Sequence, residues 1–272
     1  MSTTPVLPAY SMNQASFPWM YERKVVPPLF HPWAEVMLDR AGISPGQSVL
    51  DVACGTGIVA RLARARAGET ARVVAVDVSK PMLDVAREIE PSIEWREGDA
   101  AALPVGAGER FDRVLCQQGL QFFTDRAAAA RELRRVVEPG GAVLVAVWRS
   151  APEMPPFDEL QRVAERHLGV EIHDERHAFD DAEALRRLLA EAGFRDVQVE
   201  TLSLTHRFPD AVEFVRMNAM ALVGMSGVEL REDERERVLE AIVEESAEAA
   251  RPFVDGAEAV WDMRTNFAVA VP

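Results

Sequence analysis

The sequence predicts an α/β fold built on a mostly parallel sheet, and three observations carry that expectation. Short strand-like runs at 48–52, 71–76, 93–97, 111–116 and 142–148 alternate with segments of helical periodicity. Most of these runs are too uniformly apolar for strands with one wet face, so helices must cover the sheet on both sides. Small and acidic residues gather where the first run ends, in Asp51-Val52-Ala53-Cys54-Gly55-Thr56-Gly57. That is the carboxyl end of a strand, where an open α/β sheet holds its ligands.

The elements follow in order. Residues 1–30 form an arm or lid rich in proline and aromatics, and a helix begins after Pro32 with Trp33, Val36, Met37 and Leu38 on its apolar stripe. Gly42-Ile43-Ser44-Pro45-Gly46 breaks it and introduces the first strand. Helices are expected over 58–66, over 81–88 with Ser79 as cap, and over 125–137, and Pro139-Gly140-Gly141 turns the chain into the fifth strand. Beyond it come a helix over 156–168 and a charged loop. A capping box at Asp180-x-x-Glu183 then opens a helix ended by Gly193, and a sixth strand spans 197–204. A second box, Asp210-x-x-Glu213, starts a helix carrying Phe214, Met217 and Met220, a charged helix spans 229–251, and 265–271 is the last strand. No repeat or linker divides the chain, so residues 1–272 read as a single domain, with 150–180 and 205–255 inserted as a small helical cap.

Composition narrows the partners. At 272 residues the chain can bury a sizeable core. A formal charge of −14 repels a phosphate backbone, and no Lys/Arg cluster offsets it, so neither nucleic acid nor anionic membrane is expected as partner. A small-molecule substrate is expected instead, and a homodimer is left open. Only Cys54 and Cys116 are available, both at expected strand ends, which points to free thiols in a reducing compartment. With neither a signal-peptide pattern nor 18 uninterrupted apolar residues, a cytoplasmic location is expected.

Three acids mark successive strand ends. Asp51 precedes a turn whose glycines let the backbone pass close beneath a ligand, with helix-start N–H groups facing it. Its negative charge is wrong for a phosphate and right for an ammonium group. Asp77 closes the second strand, 22 residues after Gly55, where an acid accepts both hydroxyls of a ribose. Asp99, in Gly98-Asp99-Ala100, is suited to a purine amine. The turn also fits a nicotinamide enzyme, but Asp51 would then lie beside a pyrophosphate, and no second mononucleotide half is visible.

These motifs, in this order, resemble those of class I S-adenosylmethionine-dependent methyltransferases. Val49–Gly57 is similar to their first motif, Val76-Asp77-Val78-Ser79-x-x-Met82-Leu83 to the second, and Gly98-Asp99-Ala100-x-x-Leu103-Pro104 to the third. Phe111-Asp112-x-Val114 and Leu133-x-Arg135-Val136-x-x-Pro139-Gly140-Gly141 resemble the fourth strand and the turn before the fifth. The likeness runs over about residues 30–150 and looks closest to the ubiquinone/menaquinone C-methyltransferases and natural-product methyltransferases. It implies a Rossmann-like sheet of seven strands, the last antiparallel, with S-adenosyl-L-methionine as cofactor and no metal. It also implies the residue roles. The Asp51–Gly57 loop, with Ala53, Gly55 and Gly57, holds the methionine portion, and Gln117 offers its carbonyl to the ammonium. Asp77 takes the ribose hydroxyls, Val78 beside it belongs to the cofactor site, Met82 packs on adenine, and Asp99 with the Ala100 backbone reads the adenine edge. Gln121 and Phe122 depart from the family, which often has a histidine pair there.

The acceptor side is written less clearly. A sulfonium brings its own leaving group, so positioning and exclusion of water are the main tasks. A base is needed only for an acceptor that must lose a proton. His177, His31 and Tyr21 are the catalytic candidates taken forward, from a wider set with Tyr10, His173 and His206. The pair His173 and His177 lacks the spacing of a metal-binding helix. Apolar residues of the arm and cap, among them Phe17, Trp19, Trp148, Phe214, Met217 and Met220, suggest a largely apolar substrate. Protein- or RNA-directed methylation and a non-catalytic binding role are the alternatives.

Overall fold

The computed structural model describes residues 17–272; Tyr10 and the start of the expected arm lie outside them. Eight strands form one sheet: β1 (Val49–Val52), β2 (Val73–Asp77), β3 (Glu94–Glu97), β4 (Phe111–Gln117), β5 (Val137–Trp148), β6 (Arg195–Phe208), β7 (Val254–Asp255) and β8 (Glu258–Val271). Their order is β3-β2-β1-β4-β5-β8-β6, with the two-residue β7 paired to β8. The first five strands pair in parallel, and β8 runs antiparallel to both β5 and β6. The expected seven strands are therefore present with the last reversed, and β7 adds a short hairpin.

Burial on both faces explains the uniformly apolar strands. Alternate residues Leu50, Val52, Val74, Val76, Val114 and Val143 face a cluster shared with α5 (Arg126–Val136) and α7 (Ala182–Glu191). Val49, Val73, Ala75, Leu115 and Leu144 point the other way, against α2 (His31–Ala41), α3 (Ile58–Ala67) and α4 (Lys80–Ile89). A third apolar cluster lies among α6 (Pro155–Leu168), α8 (Ala211–Met225) and α9 (Glu232–Ala249), and includes Trp33, Trp148 and Trp261. No helix among the described residues is long and apolar enough to cross a membrane.

Besides Pro139-Gly140-Gly141, which lies within β5 rather than in a turn before it, the structure departs from the sequence reading in four places. Helix begins at Phe17, not after Pro32: α1 (Phe17–Met20) leads into a π-helical segment, Tyr21–Phe30, that runs directly into α2. The wider turn tolerates Pro27 and Pro28, since the His31 N–H reaches back five residues to Val26. Asp181, rather than Asp180, caps α7 by accepting from the Glu183 N–H, because the Asp180 carbonyl is engaged by Arg149 and Asn266. Ser79 stands at the cap position of α4, but its hydroxyl makes no capping bond; its N–H instead donates to Asp77 Oδ1 at 2.8 Å. Finally, β6 and β8 stay paired beyond the level where Trp148 of β5 meets Thr265, out to Phe208 opposite Ala259. The polar alternation of 203–208 hid this extension, which raises a two-stranded wall above the carboxyl edge of the sheet.

Candidate active site

The turn after β1 is held in a conformation that few residues adopt. Ala53, Gly55 and Gly57 have φ of +59°, +55° and +90°. A Cβ on Gly57 would lie 2.2 Å from the Trp95 ring, and one on Gly119 would lie 2.4 Å from the Cβ of Ala53. Both glycines are thus demanded by close approach, the second because the loop after β4 packs directly onto the turn.

The acids at the strand ends are tied into this turn. Asp77 Oδ2 accepts from the Gly55 N–H at 2.7 Å, so the carboxylate joins the end of β2 to the glycine turn. Burial raises its pKa, against the pull of the Ser79, Gly55 and Val78 N–H groups. Asp51 is 1% exposed and accepts from the Ala60 N–H at 3.0 Å, beneath the first turn of α3. Burial pushes its pKa up to about 7, opposed by the Ala60 bond and assisted by the charge of Asp77. Asp99 Oδ1 accepts from the Ala101 N–H at 2.8 Å, fixing the short turn that follows β3.

A cleft of about 180 Å³ opens above these strand ends, lined by Ala53, Asp77, Val78, Gly98, Asp99, Ala100, Phe122 and Phe123. Val78 is 69% exposed along it. Met82 is buried and does not line it. Phe122 and Phe123 supply its apolar side, which sequence reasoning missed because they come from the loop after β4, far along the chain.

Gln117, at the end of β4, donates from Nε2 to the Phe30 carbonyl at 3.0 Å, while its buried Oε1 has no protein partner. Gln118 has φ +54° and donates to Thr265 Oγ1 at 3.2 Å, leaving its own Oε1 unpartnered. Gln121, one of the two departures from the family pattern, is 2% exposed with both amide atoms unpartnered.

The catalytic candidates separate. Tyr21 stands over the glycine turn, its Cε1 3.9 Å from where a Gly55 Cβ would be, and its ring packs between Phe17 and Phe30. Burial, then the charges of Asp77 and Glu22, raise its phenol pKa, so it is neutral at any ordinary pH. The segment carrying it is pinned to α3 by Glu22 and Arg61, 2.7 Å apart and largely buried. His31 is 45% exposed at the surface, 3.4 Å from Glu35, and does not reach the cleft. His177 lies in a short turn, Glu175–His177, packed on the turn Leu120–Phe122. Its Nδ1 donates to the Arg149 carbonyl at 2.9 Å, and burial, helped by Arg176, lowers its pKa to about 4. The imidazole is therefore neutral near pH 7, but it is not among the cleft-lining residues.

Comparison with known proteins agrees with this geometry. Residues 49–141 match the family model described as a methyltransferase domain. The chain is 35% identical over 185 residues to the demethylmenaquinone methyltransferase of Renibacterium salmoninarum, covering 63% of this chain and 76% of the relative. It is 33% identical over 196 residues to the ubiquinone/menaquinone biosynthesis C-methyltransferase of Klebsiella pneumoniae, covering 63% and 75%. Among solved structures, the YcgJ protein of Bacillus subtilis aligns with a TM-score of 0.58 at 18% identity, covering 89% of this chain and 98% of its own. The phosphoethanolamine N-methyltransferase 2 of Haemonchus contortus, solved with S-adenosyl-L-methionine, aligns with a TM-score of 0.57 at 17% identity, covering 96% and 60%. The two structures share the fold. The curated relatives show the family: this chain belongs to the class I S-adenosylmethionine-dependent methyltransferases and passes a methyl group from that cofactor to a small-molecule acceptor.

Proposed function

We propose that the chain methylates a small, largely apolar metabolite, with the cofactor held across the ends of β1 to β4. The observation that carries this reading is the unpartnered, buried Oε1 of Gln117 at the end of β4, the strand paired to β1 and its glycine turn. A buried carbonyl oxygen without a partner costs about 1–3 kcal/mol, which a cationic amino group would relieve. The chemistry of the residues present fits the cofactor: an orphan acceptor for an ammonium, an acid at the end of β2 for ribose hydroxyls, and Asp99 with the Ala100 backbone for an adenine edge. Asp51 assists through its charge and by holding the start of α3. Val78, Phe122 and Phe123 supply apolar surface for the adenine, a role for which buried Met82 is less suited.

When bound, the cofactor supplies an activated methyl on a sulfonium. The protein's part is to orient the acceptor and exclude water. Tyr21, Phe30 and Trp148 form a continuous aromatic row leading away from the glycine turn, with ring centres 5.3 and 6.0 Å apart. A planar, apolar acceptor suits such a row. Two similar curated relatives are named as a demethylmenaquinone methyltransferase and a ubiquinone/menaquinone biosynthesis C-methyltransferase, which makes a quinol ring the first acceptor to test. The net charge of −14 favours a metabolite over RNA.

The test is transfer of labelled methyl from S-adenosylmethionine to 1,4-naphthohydroquinone, phosphoethanolamine and total RNA. Label in the naphthohydroquinone alone supports the reading. Transfer only to phosphoethanolamine or RNA contradicts it.

A further inference from the structure

The wall formed by β6 and β8 carries a group that the cofactor site does not use. His206 is 1% exposed, and its imidazole stacks between two indoles, 6.0 Å from the Trp33 ring and 6.3 Å from that of Trp261. Its Nδ1 lies 2.7 Å from the Pro28 carbonyl. A carbonyl only accepts, so Nδ1 carries the hydrogen and Nε2 presents a lone pair. The sequence explains why that carbonyl is free: the residue four positions on, Pro32, has no N–H to give it. Burial lowers the pKa of His206 further from neutrality.

Three polar atoms in this stack are buried without a protein partner: His206 Nε2, Trp33 Nε1 and Trp261 Nε1. Leaving such an atom unsatisfied is costly, so each of the three invites a polar partner from outside the chain. The stack is also joined to the aromatic row. Trp33 lies 6.1 Å from Trp148, which packs on Phe30, and Phe30 on Tyr21 over the glycine turn. His206 and Gln117 hold the carbonyls of Pro28 and Phe30, two residues apart on one helical segment. The free imidazole nitrogen and the cofactor-side amide thus flank the same short stretch of chain.

We propose that His206 is an acceptor-binding residue whose Nε2 accepts a hydrogen bond from the hydroxyl of a planar hydroxyaromatic substrate. The indole N–H groups of Trp33 and Trp261 donate to the oxygen of that hydroxyl or to a neighbouring carbonyl. In this reading the substrate ring lies against the aromatic row, and the hydrogen bond fixes which edge faces the cofactor. This rests on the apolar-acceptor reading above and adds the polar contact that would choose among apolar ligands.

The experiment is calorimetric titration of the full chain, saturated with S-adenosylhomocysteine, with 2-naphthol and with naphthalene. The wild type is expected to bind 2-naphthol about tenfold more tightly than naphthalene, the worth of one hydrogen bond in a dry site. His206→Phe should bring that ratio to about one, and His206→Gln, which keeps an acceptor atom, should retain part of it. S-adenosylhomocysteine affinity serves as the folding control and should be unchanged in both variants. An equal preference for 2-naphthol in the wild type and His206→Phe overturns the proposal, as does a wild type with no preference. If the wild type binds neither probe, the apolar-acceptor reading fails with it; if it binds both alike, only the role of His206 fails.

Discussion

The proposed cofactor and acceptor halves of the site are built on different plans. On the cofactor side, the acids bond to backbone close by in sequence or across one strand pair: Asp77 to Gly55 and Ser79, Asp99 to Ala101, Asp51 to Ala60. On the acceptor side, the polar atoms of Trp33, His206 and Trp261 come from three distant parts of the chain and are left unpartnered. A rigid half that recognises a constant molecule can be wired largely to itself, keeping an acceptor such as Gln117 Oε1 for its ligand. A half that recognises a variable molecule must leave its polar atoms for the ligand. Perturbing the first should therefore cost stability and cofactor affinity together, whereas perturbing the second should change ligand choice alone.

The largest effect is expected at Gly57. Gly57→Ala combines a left-handed φ of +90° with a Cβ 2.2 Å from Trp95. It should cost about 2–4 kcal/mol in chemical denaturation and abolish measurable cofactor binding. Stability within error of wild type would show that the turn yields easily and weaken the contrast.

Asp77→Asn ranks next. The amide cannot accept from the Gly55 and Ser79 N–H groups with both its terminal atoms, and the charge is lost. S-adenosylhomocysteine affinity should fall about 10- to 100-fold by calorimetry.

Asp51 and His177 predict opposite responses to pH. The folded pKa of Asp51 is raised to about 7 from 3.8, so the folded chain holds this proton more firmly. The resulting stability is present in acid and is lost as pH rises through about 7. His177 is lowered to about 4 from 6.5, so its contribution is present above 6.5 and is lost as pH falls towards 4. Asp51→Asn should remove the first dependence and leave the second. The thermal midpoint of the cofactor-free variant, measured relative to wild type, should then shift in the variant's favour between pH 5 and pH 8.

The smallest effect belongs to the segment that joins the halves. Arg61→Ala removes the partner of Glu22 and should raise the cofactor off-rate less than tenfold in stopped-flow displacement. A large change would make Tyr21–Phe30 part of the rigid half.

This division also explains what could be read in advance. The parallel sheet and the acids at three strand ends were legible because each rests on local pattern: apolar runs, a glycine turn, an acid at a fixed spacing; the reversed last strand followed only from the family resemblance. The π-helical Tyr21–Phe30 was not, since Pro27 and Pro28 read as a break and only packing over the turn makes the helix worth forming. His206 stood out by residue type, but its tautomer depends on a carbonyl 178 positions away. Burial at Met82 was not legible either: its side chain is buried away from the cleft, which Phe122 and Phe123 line from another loop.

The account is tested most directly by a crystal structure with S-adenosylhomocysteine bound. It should show the ribose hydroxyls on Asp77, the amino group on Gln117 Oε1, and the sulfur directed towards the aromatic row that ends at His206. A ligand whose amino group lies away from Gln117, or whose sulfur faces away from that row, would contradict it.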